Sequence, residues 1–401
     1  MTLLVLLPLQ LAVILVVTWA CGALAQRLRQ PRVIGEIAGG ILLGPVAMGR
    51  WMPAVTTMLF APARLSWLEL VSNVGLVAFL FLVGAELDLR EVTRHVRRVV
   101  ATTAGSILLP FLLGALVAPV LLRHYGVPEG ARWGFSIFLA VAMSITALPV
   151  LARILRDREA AGVPVNAEVA QQSLLSAALN DALAWCVLAA LLAVLHGGGA
   201  VEIVVRLGLL VAFTIVMMVG VRPMLRRVSL ERPVWTVMLV LLPAISAWVT
   251  NALGIHLFFG AFLAGICVPS EHVAGTMERL FLIVSTWTLP AFFALTGLRM
   301  RPELFHAGGW TDLLLILAAA VLGKIVGGMF GAGIAGMPWS KALRIGVLLN
   351  TRGLVELIVL NAGFREGILN AQVFTLLVLM AVVTTAMTGP LLDLITPRNV
   401  V

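Results

Sequence analysis

Few residues in this sequence can do chemistry, and those few sit deep in apolar stretches. Asp181 lies in Ser173-Leu174-Leu175-Ser176-Ala177-Ala178-Leu179-Asn180-Asp181-Ala182, where Ser173, Ser176 and Asn180 recur at helical spacing and form a polar stripe that Asp181 borders. A carboxylate taken out of water needs either a proton or a cation, so one buried aspartate can bind the two in competition. That competition is itself a mechanism of exchange. The plainer reading is an aspartate that caps a helix break or pairs with a buried base. Lys324 sits in Gly323-Lys324-Ile325-Val326-Gly327-Gly328-Met329-Phe330-Gly331, with glycines at i, i+4 and i+8 that permit close helix packing. A lysine there needs an acidic partner, for which Asp181 is the evident candidate, or must lose its proton, or must snorkel to an interface.

Arg352 and Glu356 stand four residues apart, a spacing that puts both on one helical face as an ion pair with a structural or a transport role. Thr146 and Pro149 mark a polar interruption, Ser144-Ile145-Thr146-Ala147-Leu148-Pro149. Its threonine hydroxyl and freed carbonyls suit a small hard cation. Glu36 and Glu86 fall near helix ends, where solvated or structural roles are expected, and His256 is expected at an interface. No pair of His, Cys or acidic residues at catalytic spacing lies at membrane depth, so an intramembrane enzyme is disfavoured and no cofactor is called for.

The composition says what must position these residues. The chain has 401 residues, 61% hydrophobic and 12% charged, against about 45–50% and about 25% in a soluble domain. No soluble fold of this size hides so much apolar surface, and the unbroken Leu/Ala/Val runs are too long for the alternating strands of a barrel. What remains is an all-α polytopic membrane protein. Cys21, Cys186 and Cys267 are scattered singly and read as small apolar fillers. Residues 1–25 lack a basic start and a cleavage site, so they read as a retained helix.

Thirteen transmembrane helices are expected near 3–24, 31–49, 66–88, 98–122, 133–154, 167–195, 203–225, 234–252, 256–270, 279–298, 310–336, 340–363 and 372–396. The net charge of +9 reflects arginines that fix topology, not a nucleic-acid partner. Eighteen Lys and Arg fall in segments after odd-numbered helices and eight in segments after even-numbered ones, which places the N-terminus outside and the C-terminus in the cytoplasm. A weak internal repeat is also visible. Helices four to six carry the interruption at 144–149 and then Asn180-Asp181, while helices eleven to thirteen carry Lys324 and a second interruption, Asn350-Thr351-Arg352-Gly353. Broken helices at matching places in oppositely oriented halves point to a transport site near the midplane.

With these residues in hand, the chain resembles the monovalent cation:proton antiporter family that includes the glutathione-gated potassium efflux systems and the plant cation/proton exchangers. The matching stretches run nearly end to end: Gln30-Pro31-Arg32-Val33-Ile34-Gly35-Glu36-Ile37, Gly39-Gly40-Ile41-Leu42-Leu43-Gly44-Pro45, Phe81-Leu82-Val83-Gly84-Ala85-Glu86-Leu87-Asp88, the interruption at 144–149 continued by Val150-Leu151-Ala152-Arg153, Gly260-Ala261-Phe262-Leu263-Ala264-Gly265, Leu289-Pro290-Ala291-Phe292-Phe293 and Thr351-Arg352-Gly353-Leu354-Val355-Glu356-Leu357. The resemblance implies one membrane domain over residues 1–401. Inverted repeats with two crossed broken helices would form a core, about 98–195 and 310–396. A dimerisation panel would take about 1–88 and 234–298, with a linker helix at about 203–225.

The family's essential aspartate matches Asp181, the residue before it Asn180, and its core lysine Lys324, with Thr146 and Pro149 lining the crossing. The implied activity is exchange of H+ for Na+ or K+ by elevator-like alternating access in a bacterial-type inner membrane, by a homodimer. Asp181, Asn180 and Thr146 would bind the ion, and Lys324, Pro149, Arg352, Glu356 and Ser173 would support them. Asn180 stands where electrogenic sodium exchangers carry a second acid, which favours one-for-one exchange, although Lys324 is shared with those exchangers. A cytoplasmic nucleotide-binding domain like that of gated members is not expected, so gating would need a separate regulatory subunit. Two rivals stay in view. One is an ion channel, which would need a continuous polar pore. The other is an exporter of an organic anion or an ionophore–cation complex on the same scaffold.

Overall fold

The computed structural model describes residues 3–28, 30–45, 47–85, 89–196, 199–227, 232–253, 257–269, 279–280, 283–301 and 309–396. Glu86 and His256 lie outside the described residues. The regular structure described is helical throughout. In chain order it comprises α1 (Leu3–Arg27), α2 (Arg32–Leu43), α3 (Ser66–Ala85), α4 (Val96–His124), α5 (Arg132–Ser144), α6 (Leu148–Ala160), α7 (Ala167–His196) and α8 (Ala200–Ile215). There follow α9 (Arg232–Ala252), α10 (Leu257–Cys267), α11 (Leu289–Leu298), α12 (Gly309–Ile334), α13 (Trp339–Leu349), α14 (Leu354–Arg365) and α15 (Ala371–Ile395). Nine described spans are long and apolar enough to cross a membrane, and three shorter apolar helices accompany them. α13 and α14, of 11 and 12 residues, stand outside both groups.

Two compact units emerge. The first gathers residues up to Leu15, Leu59–Leu89 and Trp185–Phe292. Its packing relies on small residues: a Cβ on Gly84 would strike the Phe262 carbonyl, and one on Gly265 the Phe81 carbonyl, so α3 and α10 meet backbone to backbone. Between membrane helices, where lipid is as apolar as leucine, such close approach supplies the attraction. Trp185 meets Phe258 edge to face, with ring centroids 6.2 Å apart.

The second unit gathers Val16–Met58, Arg90–Ala184 and Phe293–Val401. Here the glycine row of α12 works as its spacing suggests. Gly331 abuts Ala101 and Thr102, Gly327 abuts Gly105, and Gly323 abuts Pro110, so α4 and α12 pack antiparallel along three successive turns. That contact seats Lys324 in the interior, fully buried rather than snorkelling. The two interruptions read from the sequence are real breaks. Residues 145–147 separate α5 from α6, and residues 350–353 separate α13 from α14. Pro149, in the first turn of α6, suits a helix start because its missing N–H has no partner to lose. Gly353 has φ +151, a backbone region that disfavours side chains, and turns the chain into α14.

Candidate functional site

The two breaks of the second unit touch. The Ala147 amide donates to the Thr351 carbonyl at 3.1 Å, and the Thr146 hydroxyl donates to the Leu349 carbonyl at 3.1 Å. A helix break in lipid strands backbone groups that must find partners, and here side chains from α7, α12, α15 and the opposite break supply them. At the amide end, Asn180 Oδ1 accepts from the Thr146 amide at 3.0 Å and Asp181 Oδ2 accepts from the Leu148 amide at 3.2 Å. Two consecutive residues of α7 therefore cap α6 from outside, and the acid faces the positive end of that half-helix.

Cations take the opposite, carbonyl end of α5. Arg352 donates through Nη1 to the Ala142 carbonyl at 3.1 Å and through Nη2 to the Met143 carbonyl. Lys324 Nζ donates to the Ser144 carbonyl and, at 2.7 Å, to Thr146 Oγ1, while Asn180 Nδ2 adds a bond to the same Ser144 carbonyl at 3.1 Å. The last three carbonyls of α5 thus all face positive or amide donors, as the negative end of a helix dipole favours.

Three details differ from the sequence expectation. Lys324 and Asp181 make no direct ion pair; the ammonium goes to the freed Ser144 carbonyl and the Thr146 hydroxyl, which the break brings nearer. Arg352 and Glu356 do pair, at 3.0 Å and fully buried, but not along one helical face. Arg352 lies in the break and only Glu356 is helical, so the four-residue spacing is bridged by non-helical chain. Ser173 stands two turns along α7 from Asp181, roughly 12 Å away on helical rise, outside the hydrogen bonds that join the breaks. Glu36, by contrast, is buried and lies 2.9 Å from Arg32, four residues earlier on α2.

What the arrangement can do follows from what it leaves open. Asp181 is fully buried, and its Oδ1 accepts no hydrogen bond from the protein. Thr351 Oγ1, Asn350 Oδ1 and Glu356 Oε2 are likewise buried without partners. Buried polar atoms without partners are rare and call for a ligand, a proton or water. Among the described residues no three His, Cys, Asp or Glu stand together. The unpartnered oxygens belong to two carboxylates, an amide and a hydroxyl, a chemistry that suits a hard monovalent or divalent cation rather than a soft transition metal.

A family model described as sodium/hydrogen exchanger, transmembrane, matches residues 11–396. The chain belongs to this exchanger family. Its members are transporters and not enzymes, and the chain is a multi-pass membrane protein. Na(+)/H(+) antiporter NhaS4 of Synechocystis is 34% identical over 388 residues, covering 94% of this chain and 93% of that protein. Cation/H(+) antiporter 17 of Arabidopsis thaliana is 37% identical over 402 residues, covering 96% of this chain and 48% of that protein. The chain therefore spans about half the length of the plant relatives it matches. The sodium proton antiporter MjNhaP1 of Methanocaldococcus jannaschii, solved at pH 8, shares the fold with a TM-score of 0.68 at 14% identity, over 98% of this chain and 97% of that one.

The candidate site also involves residues that the sequence reading passed over. Thr385 Oγ1 donates to the Arg352 carbonyl at 2.7 Å and accepts from the Arg352 amide at 2.9 Å, and the Thr384 carbonyl accepts from Asn350 Nδ2 at 3.2 Å. The adjacent threonines Thr384 and Thr385 in a mostly apolar helix were the available signal. Gln172 and Thr102, which bond each other at 3.1 Å, were passed over as well.

Proposed function

We propose that the chain is a secondary antiporter that exchanges H+ for Na+ or K+ at Asp181. The observation that carries this reading is the pair of oxygens on one fully buried carboxylate. Oδ2 is tied to the start of α6, and Oδ1 is free of any protein donor. A proton or a metal ion on Oδ1 neutralises the carboxylate, and one excludes the other. Asn180, Thr146 and the carbonyls of the breaks would complete coordination of the ion. Lys324, within coulombic reach of Asp181, would stabilise the carboxylate when no ion is bound. Arg352 and Glu356 would hold the second break, and Pro149 would start α6 in register.

The relatives named as Na(+)/H(+) and K(+)/H(+) antiporters support cation/proton exchange and frame the choice between the two ions. The finer reading is thirteen crossings, two inverted repeats that carry the broken helices, elevator-like alternating access against a dimerisation panel, and a homodimer. The arginine distribution supports an N-terminus outside and a C-terminus in the cytoplasm of an inner membrane. The test is proton flux in liposomes. A pH gradient is imposed, Na+, K+, Rb+ or Li+ is added, and its dissipation is followed for wild type and Asp181→Asn. Cation-dependent dissipation that vanishes in Asp181→Asn supports the reading. Dissipation that persists in a folded Asp181→Asn protein removes Asp181 as the shared site.

A further inference from the structure

A polar cluster away from the breaks gathers where α11 ends, α14 ends and α15 begins, among residues of the second unit. Asn361 on α14 is its centre. Its Oδ1 accepts from Arg299 Nη1, just past the end of α11. Its Nδ2 donates to Thr296 Oγ1 of α11 at 2.9 Å and to the Leu357 carbonyl of its own helix at 2.8 Å. The Arg299 guanidinium also lies over the Phe364 ring, 6.0 Å from its centroid. Two residues on, the Arg301 amide donates to Thr375 Oγ1 of α15 at 3.0 Å. Thr296 is fully buried and Asn361 is 5% exposed, so their bond is made away from water.

The same end of α11 is fixed to α2 in a different way. A Cβ on Gly40 would strike the Phe293 carbonyl, and one on Gly297 the Gly40 carbonyl, so these two helices meet backbone to backbone. Close packing of that kind joins two helices as one body. The tie from α11 to α14 is made of side-chain hydrogen bonds instead, whose net strength is modest because water can replace either partner. Asn361 stands five residues beyond Glu356, roughly 7–8 Å on helical rise. One rigid helix, α14, therefore carries both the acid that pairs with Arg352 in the second break and the contact to α11.

We propose that Arg299, Thr296 and Asn361 form a latch that holds the outer path shut and must open once in every transport cycle. The proposal rests on the reading in which α11 belongs to the panel and α14 to the core that shifts against it. A core that slides along a fixed panel cannot keep Asn361 Nδ2 within 2.9 Å of Thr296 Oγ1, so the bonds of Asn361 to Thr296 and Arg299 break and re-form as the core moves. In the proposed topology this end of α14 faces outside, so the closed latch belongs to the conformation with the outer path shut. Opening leaves Asn361 partly paired, because its bond to the Leu357 carbonyl stays within α14. Asn361 is thus a positioning residue. It touches no ion, and it sets how readily the core leaves this conformation.

The test uses the intact chain with Cys21, Cys186 and Cys267 replaced by serine. Thr296→Cys and Asn361→Cys are combined and joined by a short bifunctional thiol reagent that a reductant cleaves. In liposomes the joined protein should lose cation-driven proton flux, and reductant should restore it, which also shows that the fold survived. Each single cysteine variant, treated alike, should keep its flux. A joined protein that exchanges at its unjoined rate overturns the latch, since a contact inside one rigid body can be bridged without effect. A pair that the reagent cannot bridge overturns it as well. A second arm reads position without transport. In right-side-out vesicles Thr296→Cys is labelled with a membrane-impermeant maleimide, with and without Asn361→Leu, which fills the cleft but makes no side-chain hydrogen bond. Loss of the bond from the guanidinium should raise the labelling rate on the order of tenfold, and an unchanged rate overturns the latch. A wild type that exchanges nothing overturns the reading of function instead, and the labelling then decides the latch.

Discussion

Arg352 gives the sharpest test of how the breaks are held. Its guanidinium is fully buried and bonds Glu356 and the carbonyls of Ala142 and Met143. Arg352→Met fills a similar volume but strands the Glu356 carboxylate, a loss of about 3–5 kcal/mol for a broken buried pair. Two helix-end carbonyls lose donors as well, at about 1–3 kcal/mol each. Together these amount to roughly 5–11 kcal/mol before relaxation, comparable to the whole stability of a typical domain, about 5–15 kcal/mol. Adding Glu356→Leu removes the stranded charge, so the double variant should recover about 3–5 kcal/mol. Size-exclusion profiles in detergent across a heating series would rank the three proteins, with the double variant between wild type and Arg352→Met. An Arg352→Met protein as heat-resistant as wild type would refute the reasoning, as would a double variant no more resistant than the single one.

Other outcomes follow from the same geometry. Asp181→Asn keeps an oxygen for the Leu148 amide, so exchange should vanish while the melting temperature in detergent stays within a few degrees of wild type. Asn180→Asp replaces the donor to the Ser144 carbonyl with an acid; a second titratable site should change the charge moved per cycle, read as current on a solid-supported membrane. Gly327→Leu drives a side chain into Gly105 of α4 and should abolish the monodisperse peak in size-exclusion chromatography. Burial, followed by its hydrogen bond to Asp312, raises the Tyr125 phenol above its ordinary range. The contribution of that bond should therefore be full below about pH 10 and fade above it. Tyr125→Phe should cost about 1 kcal/mol, measured as thermal stability at neutral pH.

Much of the architecture was legible because lipid imposes simple rules. Long apolar runs have to be helices, since no other single segment satisfies its own backbone in hydrocarbon. The interruptions were legible for the converse reason. Ser144 to Pro149 and Asn350 to Gly353 carry residues that a lipid-facing helix would not, and both are breaks. The glycine row from 323 to 331 announced close packing, and α4 fills it. Partners were harder. The pairing of Gln172 with Thr102, or of Thr385 with Arg352, depends on which helices become neighbours, and neither residue carries that information alone.

The sequence by itself determined that the chain lives in a bilayer, that two helices break, and that Asp181, Lys324, Arg352 and Glu356 are costly charges in apolar stretches, whereas the buried Asp312 went unread. Burial cost belongs to residue type and local hydrophobicity, both of which are written in the chain. Only the tertiary structure decided how those costs are met. It sent Lys324 to the Ser144 carbonyl instead of to Asp181, set Asn180 and Asp181 on the amides of the first break, and left Asp181 Oδ1 without a donor. Hydrogen bonds act over about 3 Å, so their partners are chosen by helix packing across long stretches of chain and not by neighbours in sequence.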